Sequence, residues 1–561
     1  METDILTDRA GSRSLPASTL PTLVAWSCRQ FAPLEAIRDG ATSLSYQELG
    51  EQSDRVARAL IASDIQAGDT VAIWAPNCWQ WVVASLGALR AGARLVPVNT
   101  RFKGPEAAYV LDKASVKLIF VCNGFLDTDY AHALTPEVAG YPLPDLAEVI
   151  DFSLDDETGS DPRPRSASTP APGTRPTVGF EHFCERGAYD EVVQAEVERR
   201  SAAVAPDDIS LIMFTSGTTG HPKGVMIRGG AMIRAFYGYS EALTVTEGDR
   251  YLLVNPYFHA FGFNSGIVVC LLRGAVNVPV AVFEAGEVLA LIESQRVTVF
   301  PGPPALFQAL LNHPDLPQRD VSSLRACVTG AASIPVEMVL DMRERLGFRT
   351  IITAYGMTET TGIAAHTRTN DDPHTVATTS GRAIPDTELK IVDDNGDPVP
   401  AGTPGELLVR GFQVTPGYLD APEQTAEAID PEGWLHTGDV AVMDANGYID
   451  ITDRKKDMFI MGGFNAYPAE IERVILEHPL VGIAAVIGVP DDRMGEVGAA
   501  FVVPSPDGAP DPESLIGWCR ERMANYKVPR YVWVVEDLPL TASNKVRKPE
   551  LRALAEDRLN Q

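Results

Sequence analysis

The sequence predicts an α/β protein, with a large amino-terminal domain of parallel sheets and flanking helices followed by a small α+β domain. The chain has 561 residues, which is too long for one ordinary hydrophobic core. Short apolar runs alternate with helical patterns in its first half, as expected for parallel strands joined by helices. A second set of strand and helix patterns begins near Asp453 and spans about a hundred residues, a common domain size.

Local patterns assign the elements of the large domain. The string SYQE at residues 45–48 has the spacing of a capping box and predicts the start of a helix. GDTVAIWAPN (68–77) predicts a buried strand that enters a turn, and WQWVVASLGALRAGA (79–93) predicts a helix that ends at Gly92. Further strands are predicted for ARLVPVN (93–99), VKLIFVC (116–122) and the continuous apolar run ISLIMF (209–214). Helical spacing is found for the apolar residues Met232, Ala235, Phe236, Tyr239 and Leu243.

Residues 156–179 differ in composition from their surroundings. They include the string DPRPRSASTPAPGTRPTVG, which is rich in Pro, Ser and Thr. Such a composition cannot supply a hydrophobic core, so we predict a disordered surface insertion within the large domain.

The small domain has its own regular pattern. Pro468 suits the first turn of a helix whose apolar face would use Ile471, Val474 and Ile475. Asp511 and Pro512 predict the N-cap and first residue of another helix. Strands are predicted for GIAAVIGV (482–489), GAAFVVP (498–504) and RYVWVVE (530–536).

The charge balance excludes some partners. The chain carries 47 Lys and Arg against 75 Asp and Glu, a net charge of −28. Such an acidic surface repels nucleic acid and anionic membranes, so neither is an expected partner. The longest apolar stretches are interrupted by Arg90, Arg94 or Arg273, which argues against membrane insertion. The seven cysteines are scattered, with no C-x-x-C pair. We therefore expect reduced thiols and a cytoplasmic protein rather than disulfides or a zinc site.

The string MFTSGTTGHPKG (213–224) has the composition of an anion-binding loop. It is not a Walker P-loop, because His221 and Pro222 separate Gly220 from Lys223, and Gly224 stands where Ser or Thr would be needed. Glycines and hydroxyls can still present several donors to one anion, and Lys223 adds charge. The alternative is a flexible surface turn. The predicted position between a buried strand and a helix favours a phosphate site.

Four further strings follow this loop in a fixed order. They are TGAAS (329–333), TAYGMTE (353–359), GWLHTGD (433–439) and ITDRKKDMFIMGGFNAYPAEIE (451–472). Each has an ordinary structural explanation by itself. Together with the loop, they resemble the adenylate-forming superfamily of acyl-CoA synthetases, peptide-synthetase adenylation domains and luciferases. The resemblance extends over residues 45–551.

This resemblance implies an ATP site with Mg²⁺. In the family, the loop holds the β- and γ-phosphates, the GAA string and Tyr355 line the adenine, and Thr358 faces the α-phosphate. Glu359 would hold the metal, for which a carboxylate is a suitable ligand. Asp439 would accept hydrogen bonds from the ribose hydroxyls, with help from Arg454. The full predicted ATP set is Thr215, Ser216, Gly217, Thr218, Thr219, Gly220, Lys223, Gly330, Ala331, Ala332, Tyr355, Gly356, Met357, Thr358, Asp439, Ile451, Arg454 and Lys545.

The resemblance also implies a two-step reaction. A carboxylate attacks the α-phosphorus of ATP to give an acyl-adenylate and pyrophosphate, and a thiol then displaces AMP. Lys545 in LTASNKVRK stands where the family has its catalytic lysine, and a positioned cation suits the charge that develops on phosphorus oxygens. A solvated lysine is the alternative. Residues 453–456 form the implied hinge, with Lys456 as the hinge residue, between domain 1–452 and a mobile domain 457–561.

The remaining implied sites hold the thiol and the acid. Coenzyme A would contact Gly462, Gly463, Phe464 and Lys527. The acyl pocket would use His259, Phe263, Asn264 and Gly302. His259 would stand between the acid and the nucleotide, and its alternative is a core histidine. Asn264 would bond a ring ketone or hydroxyl, or else have a structural role.

Local strings narrow the expected acid. YFHAFGFNSGIVVCLLRGA, FPGPPALFQALL and ERMANYKVPR look like bacterial acyl-CoA ligases of fatty-acid and steroid catabolism. We therefore expect a medium- to long-chain fatty acid or a bulky alicyclic propionate derived from a steroid. The sequence leaves the assembly open, with a homodimer among the options.

Three alternatives to this activity remain open. A free-standing adenylation enzyme would load a carrier-protein thiol, and a luciferase-like oxygenase would need a specialised product. A catalytically weak ATP-binding pseudo-enzyme draws support from Asn544, because the family usually has glycine before its lysine. Among residues other than glycine, Asn best tolerates a positive φ angle. Asn544 can therefore still present Lys545, and we expect an active enzyme.

Overall fold

The computed structural model describes residues 15–140, 142–154, 177–215, 222–330, 334–454, 457–461, 464–466, 468–491, 494–523, 525–540 and 546–559. Several predicted site residues lie outside these segments, as does most of the predicted insertion. The site residues concerned are Ser216, Gly217, Thr218, Thr219, Gly220, Ala331, Ala332, Lys456, Gly462, Gly463, Asn544 and Lys545.

Strands are distributed over the whole described chain. They are β1 (Glu35–Asp39), β2 (Thr42–Ser45), β3 (Thr70–Trp74), β4 (Arg94–Pro97), β5 (Val116–Val121), β6 (Glu148–Asp151), β7 (Thr177–Gly179), β8 (Ile209–Thr215), β9 (Lys223–Arg228), β10 (Arg250–Leu253), β11 (Val276–Pro279), β12 (Ala326–Gly330), β13 (Thr350–Tyr355), β14 (Ala365–His366), β15 (Arg382–Ala383), β16 (Thr387–Val392), β17 (Gly405–Gly411), β18 (Leu435–Met443), β19 (Ile449–Arg454), β20 (Phe459–Met461), β21 (Phe464–Ala466), β22 (Val481–Asp491), β23 (Gly495–Pro504) and β24 (Tyr531–Val534).

Helices connect and cover these strands. They are α1 (Leu20–Gln30), α2 (Tyr46–Ala62), α3 (Trp79–Arg90), α4 (Gly104–Lys113), α5 (Tyr130–Ala133), α6 (Pro136–Ala139), α7 (Phe180–Glu185), α8 (Glu191–Ala203), α9 (Gly229–Ala242), α10 (Ala260–Gly262), α11 (Val269–Arg273), α12 (Ala285–Gln295), α13 (Pro304–Leu311), α14 (Val336–Glu344), α15 (Pro373–Thr378), α16 (Pro422–Ala428), α17 (Pro468–Leu476), α18 (Pro512–Arg522) and α19 (Lys548–Leu559). No helix in the described segments combines the length and apolar character needed to cross a membrane.

A seven-stranded sheet has the order β7-β6-β5-β3-β4-β8-β9. Its strands are parallel except for the hairpin of β8 and β9. The predicted capping box opens α2, with the Ser45 side chain accepting from the Glu48 N–H. α2 and α3 then pack together on this sheet, with Val56 and Trp81 fully buried. The predicted parallel α/β architecture is confirmed here.

A second sheet brings together strands from the middle of the chain. Two groups, β10-β11-β1-β2 and β12-β13-β14-β15, are joined through Val299, which bridges Tyr251 on one side and Ala326 on the other. The central strands β11, β10, the Val299 segment, β12 and β13 all run in the same direction. Their carboxyl ends therefore lie along one edge, where ligands bind in α/β sheets.

Two features of the large unit differ from the prediction. The phosphate-loop string does not lead from a strand into a helix, because β9 follows it and pairs antiparallel with β8 before α9 begins. Thr177–Gly179, at the end of the predicted disordered insertion, form β7, which pairs with β6. The β-branched and apolar residues of KGVMIR and TVG find partners across the sheet, a contact that local composition does not reveal.

An antiparallel sheet with the order β16-β17-β18-β19 completes the large unit. Beyond it, β20 to β24 form a sheet that has its own core with α17, α18 and α19. Ile471 and Ile475 of α17 are fully buried there, as their spacing predicts. The Asp511 side chain accepts from the Ser514 N–H and caps α18.

Candidate active site

The carboxyl edge of the second sheet collects residues that the sequence had grouped only by motif. His259 follows β10, Gly302 follows the Val299 segment, Gly330 ends β12 and Tyr355 ends β13. The segment after Val299 bonds to β12, since the Gly302 N–H donates to the Val328 carbonyl at 3.0 Å. Four predicted site residues thus end or follow successive parallel strands of one sheet.

Close backbone contacts require glycine at two predicted ATP-site positions, Gly330 and Gly356. A Cβ atom on Gly330 would lie 2.7 Å from the Ala354 carbonyl oxygen, and one on Gly356 would lie 2.4 Å from the Gly362 carbonyl oxygen. Real Cβ contacts are not this short, so the backbone would have to move. Gly330 therefore lets the ends of β12 and β13 lie close together, and Gly356 lets the turn after the half-buried Tyr355 fold back tightly on itself.

Tyr355 and Asp439 form a direct link across the edge. The Tyr355 hydroxyl donates to Asp439 Oδ2 at 2.6 Å, and Asp439 is 6% exposed. Asp439 belongs to β18 and stands opposite Arg454 of β19 in the antiparallel register. The sheet of β16 to β19, which the sequence analysis did not predict, therefore delivers a carboxylate to the end of β13, where it can accept hydrogen bonds from hydroxyl groups.

Thr358 and Glu359 lie in a buried turn just after Tyr355. Residues Thr358–Thr360 form one turn of 3-10 helix, and Asn264 donates through Nδ2 to the Thr361 carbonyl at 2.6 Å. The Glu359 side chain is 7% exposed and accepts from the Tyr418 hydroxyl at 2.9 Å. Burial, followed by the Glu359 charge, raises the pKa of Tyr418, so this hydroxyl stays protonated and donates.

Lys223, the first residue of β9, faces the ring of the same Tyr418. Its Nζ lies 5.0 Å from the centre of the Tyr418 ring, within the range of a cation–π contact. Thr215 ends β8, Lys223 begins β9, and the two residues are paired at the loop end of this hairpin. The structure therefore brings the end of the predicted phosphate loop to the Glu359 turn, through Tyr418.

Tyr418 was not identified from the sequence. It lies in the string VTPGYLD, between two of the assigned motifs. Its contact with Glu359 joins residues 59 positions apart. A tyrosine in a Gly- and Pro-containing turn carries no periodic signal, so only the folded chain reveals this contact.

The predicted acyl-pocket residues His259, Phe263 and Asn264 lie within one short stretch of chain after β10. The Phe261 N–H donates to His259 Nδ1 at 3.2 Å and begins α10. Phe263 and Asn264 open a π-helical turn, Phe263–Val268, and both are fully buried. π-helical turns are frequent at functional sites. Phe263 packs on Trp81 with ring centres 5.9 Å apart, and Asn264 directs its amide NH₂ to Thr361 as described above.

The carboxylate present fits a nucleotide-bound Mg²⁺. In the described segments, no three His, Cys, Asp or Glu side chains are grouped as a metal cluster. Mg²⁺ that arrives with ATP needs only one or two carboxylates, since phosphates and water supply its other ligands. Glu359, buried and held by Tyr418, can serve as that carboxylate.

The predicted coenzyme A residues are described only in part. Phe464 lies in β21. The Lys527 Nζ is 5.5 Å from the centre of the Tyr526 ring. Ile451, which belongs to the predicted ATP set, lies in β19 opposite Ala441 of β18 in the antiparallel sheet. The coenzyme A site stays a prediction, because Gly462 and Gly463 lie outside the described residues.

The chain is similar in sequence to known enzyme families and to individual enzymes. The AMP-binding enzyme family matches residues 24–419, and the AMP-binding enzyme C-terminal domain matches residues 470–545. A 3-[(3aS,4S,7aS)-7a-methyl-1,5-dioxo-octahydro-1H-inden-4-yl]propanoyl:CoA ligase of Rhodococcus jostii (strain RHA1) is 45% identical over 95% of this chain and 98% of its own length. A ligase of the same name from Mycobacterium tuberculosis (strain ATCC 25618 / H37Rv) is 43% identical over 96% of this chain and 99% of its own.

Solved structures agree with these sequence relatives. The anthranilate CoA ligase AuaEII in complex with anthranoyl-AMP has a TM-score of 0.82 at 26% identity, covering 99% of this chain and 100% of its own. A Mycobacterium tuberculosis fatty acyl CoA synthetase has a TM-score of 0.72 at 27% identity, covering 96% and 99%. The chain therefore belongs to the AMP-binding enzyme family.

Proposed function

We propose that this protein is an ATP-dependent acyl-CoA ligase that activates a bulky alicyclic propionate derived from a steroid. One observation carries the proposal: near the sheet edge that also presents His259, Tyr355 bonds Asp439, and Tyr418 contacts both Glu359 and Lys223. The relatives that are 45% and 43% identical act, by their names, on a bicyclic propionate. A medium- to long-chain fatty acid is the second candidate, because one relative at 32% identity is a medium-chain acyl-CoA ligase of Macaca fascicularis.

The first step forms an acyl-adenylate. A carboxylate oxygen attacks the α-phosphorus of ATP, the bond from that phosphorus to the bridging oxygen breaks, and pyrophosphate leaves. Thr358 would face the α-phosphate, and Lys223 with the loop before it would hold the departing phosphates. Mg²⁺ held by Glu359 would neutralise charge on the phosphate oxygens. Lys545 would supply a further cation where negative charge increases in the transition state.

The second step forms the thioester. The coenzyme A sulfur attacks the acyl carbon, and the bond from that carbon to the AMP oxygen breaks. We propose that the domain of residues 457–561 turns about Lys456 between the steps, replacing Lys545 at the site by the loop of Gly462, Gly463 and Phe464. A single site then serves both reactions while the adenylate stays protected from water. The acidic surface and the seven free cysteines support a cytoplasmic location.

A panel of carboxylic acids tests this proposal. Purified protein is incubated with ATP, Mg²⁺, coenzyme A and each acid, and AMP, pyrophosphate and acyl-CoA are measured. Bicyclic propionates should give the highest kcat/KM, medium and long fatty acids less, and acetate and benzoate least, because an apolar pocket gains affinity from buried area. A preference for acetate would contradict the substrate class.

The same assay separates the alternatives. An enzyme that loads a carrier protein would release AMP only when a carrier thiol replaces coenzyme A. A pseudo-enzyme would bind ATP without forming AMP from any acid. A luciferase-like oxygenase would require oxygen, whereas thioester formation by a ligase proceeds without it.

A further inference from the structure

Tyr418 joins two groups of the site that come from distant parts of the chain. It is 9% exposed, its hydroxyl donates to Glu359 Oε1 at 2.9 Å, and its ring faces the Lys223 ammonium at 5.0 Å. A single side chain thus contacts both the carboxylate and the lysine to which the proposed function assigns the metal and the phosphates.

The backbone around Tyr418 is held on the Lys223 side. Tyr418 pairs with Val225 in an antiparallel bridge, and the Leu419 N–H donates to the Gly224 carbonyl at 2.8 Å. The Met226 N–H donates to the Gly417 carbonyl at 3.2 Å. The segment therefore pairs alongside β9, close to Lys223.

The same segment is also held on the Glu359 side. The Thr415 N–H donates to the Glu359 carbonyl at 2.7 Å, and the Thr415 hydroxyl donates to the Met226 carbonyl at 2.6 Å. Both the main chain and the side chain of Glu359 are thus bonded to residues 415–418. A displacement of β9 would be transmitted to the Glu359 turn through these bonds.

We propose that Tyr418 is a positioning residue that orients the Glu359 carboxylate for the divalent cation bound with ATP and couples that carboxylate to Lys223. This role rests on the proposed function, which assigns the cation to Glu359. The hydroxyl restricts rotation of the carboxylate, and the ring face supports the lysine ammonium. Loss of a hydrogen-bond partner behind a metal ligand typically costs tenfold to a hundredfold in metal affinity or activity.

The hydroxyl is tested by Tyr418→Phe, which keeps the ring. ATP binding is measured by calorimetry without any carboxylic acid, once with Mg²⁺ and once with EDTA. We expect affinity to fall about tenfold with Mg²⁺ and to remain unchanged with EDTA. The control is Tyr448→Phe, which removes a hydroxyl that donates to Asp371 at 2.7 Å away from these residues. The control should match wild type under both conditions.

The ring is tested by Tyr418→Leu, which removes the surface below Lys223. ATP affinity should then also fall with EDTA, by about two- to fivefold, the value of a partly exposed cation–π contact. Thermal melting of each variant checks that it is folded. The positioning role would be overturned if Mg²⁺ raised the ATP affinity of Tyr418→Phe as much as it raises that of wild type. It would also be overturned if Tyr418→Phe lost the same ATP affinity with Mg²⁺ as with EDTA. Wild-type protein that binds ATP equally well with and without Mg²⁺ would overturn both this role and the proposed cation site.

Discussion

Two parts of the candidate site are built in different ways. We call the residues proposed to bind ATP, such as Tyr355, Glu359 and Asp439, the nucleotide side. We call those proposed to bind the acid, His259, Phe263, Asn264 and Gly302, the acyl side. On the nucleotide side, side chains from four separate segments contact each other, as in the pairs Tyr355–Asp439 and Tyr418–Glu359. On the acyl side, Phe263 and Asn264 are fully buried in a single π-helical turn packed into the core. Recognition of an invariant ligand can be shared among many elements, whereas a variable ligand can be accommodated by changing one helix.

The comparison predicts that the largest losses come from charges on the nucleotide side. Lys545→Ala should slow acyl-adenylate formation by about a hundredfold or more, the typical cost of removing one group that stabilises transition-state charge. Thioester formation from supplied acyl-adenylate should be unaffected, since in the proposed mechanism Lys545 is replaced at the site before that step. The two half-reactions are measured separately in quenched-flow experiments. Normal adenylation by Lys545→Ala would make this residue an ordinary solvated lysine.

A second prediction concerns the glycine beside Tyr355. Gly356→Ala places a Cβ atom 2.4 Å from the Gly362 carbonyl oxygen, so the backbone of the Glu359 turn must move. We expect a cost of about 1–3 kcal/mol, typical of overpacking, and a loss of ATP affinity of at least about tenfold. Calorimetry with ATP and Mg²⁺ and thermal melting measure the two effects.

Gly302 offers the matched change on the acyl side. A Cβ atom there would lie 3.1 Å from Leu306 Cδ1, the end of a flexible side chain that can move aside. Gly302→Ala should therefore raise the KM for the acid by about twofold to tenfold, equivalent to about 0.4–1.4 kcal/mol, and leave the KM for ATP unchanged. An equal change in both KM values would show that the two sides are not separable.

The last prediction concerns the pH dependence of stability at His366, beside β13. His366 pairs with Ala354 in β13 and is fully enclosed, which lowers its pKa to about 4, with a further contribution from the Arg368 charge. The folded protein thus binds fewer protons here than the unfolded chain. Stability from this residue is complete above the ordinary value of 6.5 and is lost as pH falls towards about 4.

His366→Gln tests this dependence, because it removes the titrating group. Between about pH 7 and about pH 5, the wild-type melting temperature should fall further than that of the variant, corresponding to about 2 kcal/mol for the histidine. Parallel curves for the two proteins would show that His366 does not titrate in this range.

Local signals were sufficient for some elements and not for others. The capping box at Ser45, the helix after Pro468 and the cap at Asp511 were predicted because neighbouring residues determine them. The hairpin strand β9 and the sheet of β16 to β19 were missed, since antiparallel pairing depends on partners that local patterns do not identify.

The site shows the same limit. Motif order placed Tyr355, Glu359 and Asp439 in a common function, and the structure brings the first and last into hydrogen-bond contact. Tyr418 had no motif of its own and became visible only through its contacts with Glu359 and Lys223. For Asn264, the sequence allowed either a substrate contact or a structural role, and the structure adds a bond to Thr361.

The central claim is that one site forms an acyl-adenylate and then a thioester. The most direct measurement is a single-turnover reaction with excess enzyme, a bicyclic propionate, ATP and Mg²⁺, to which coenzyme A is added only after a delay. Before the addition, we expect pyrophosphate and enzyme-bound acyl-adenylate in equal amounts. Afterwards, the adenylate should be converted to acyl-CoA and AMP. Formation of ADP and phosphate, or acyl-CoA without a preceding adenylate, would contradict the account.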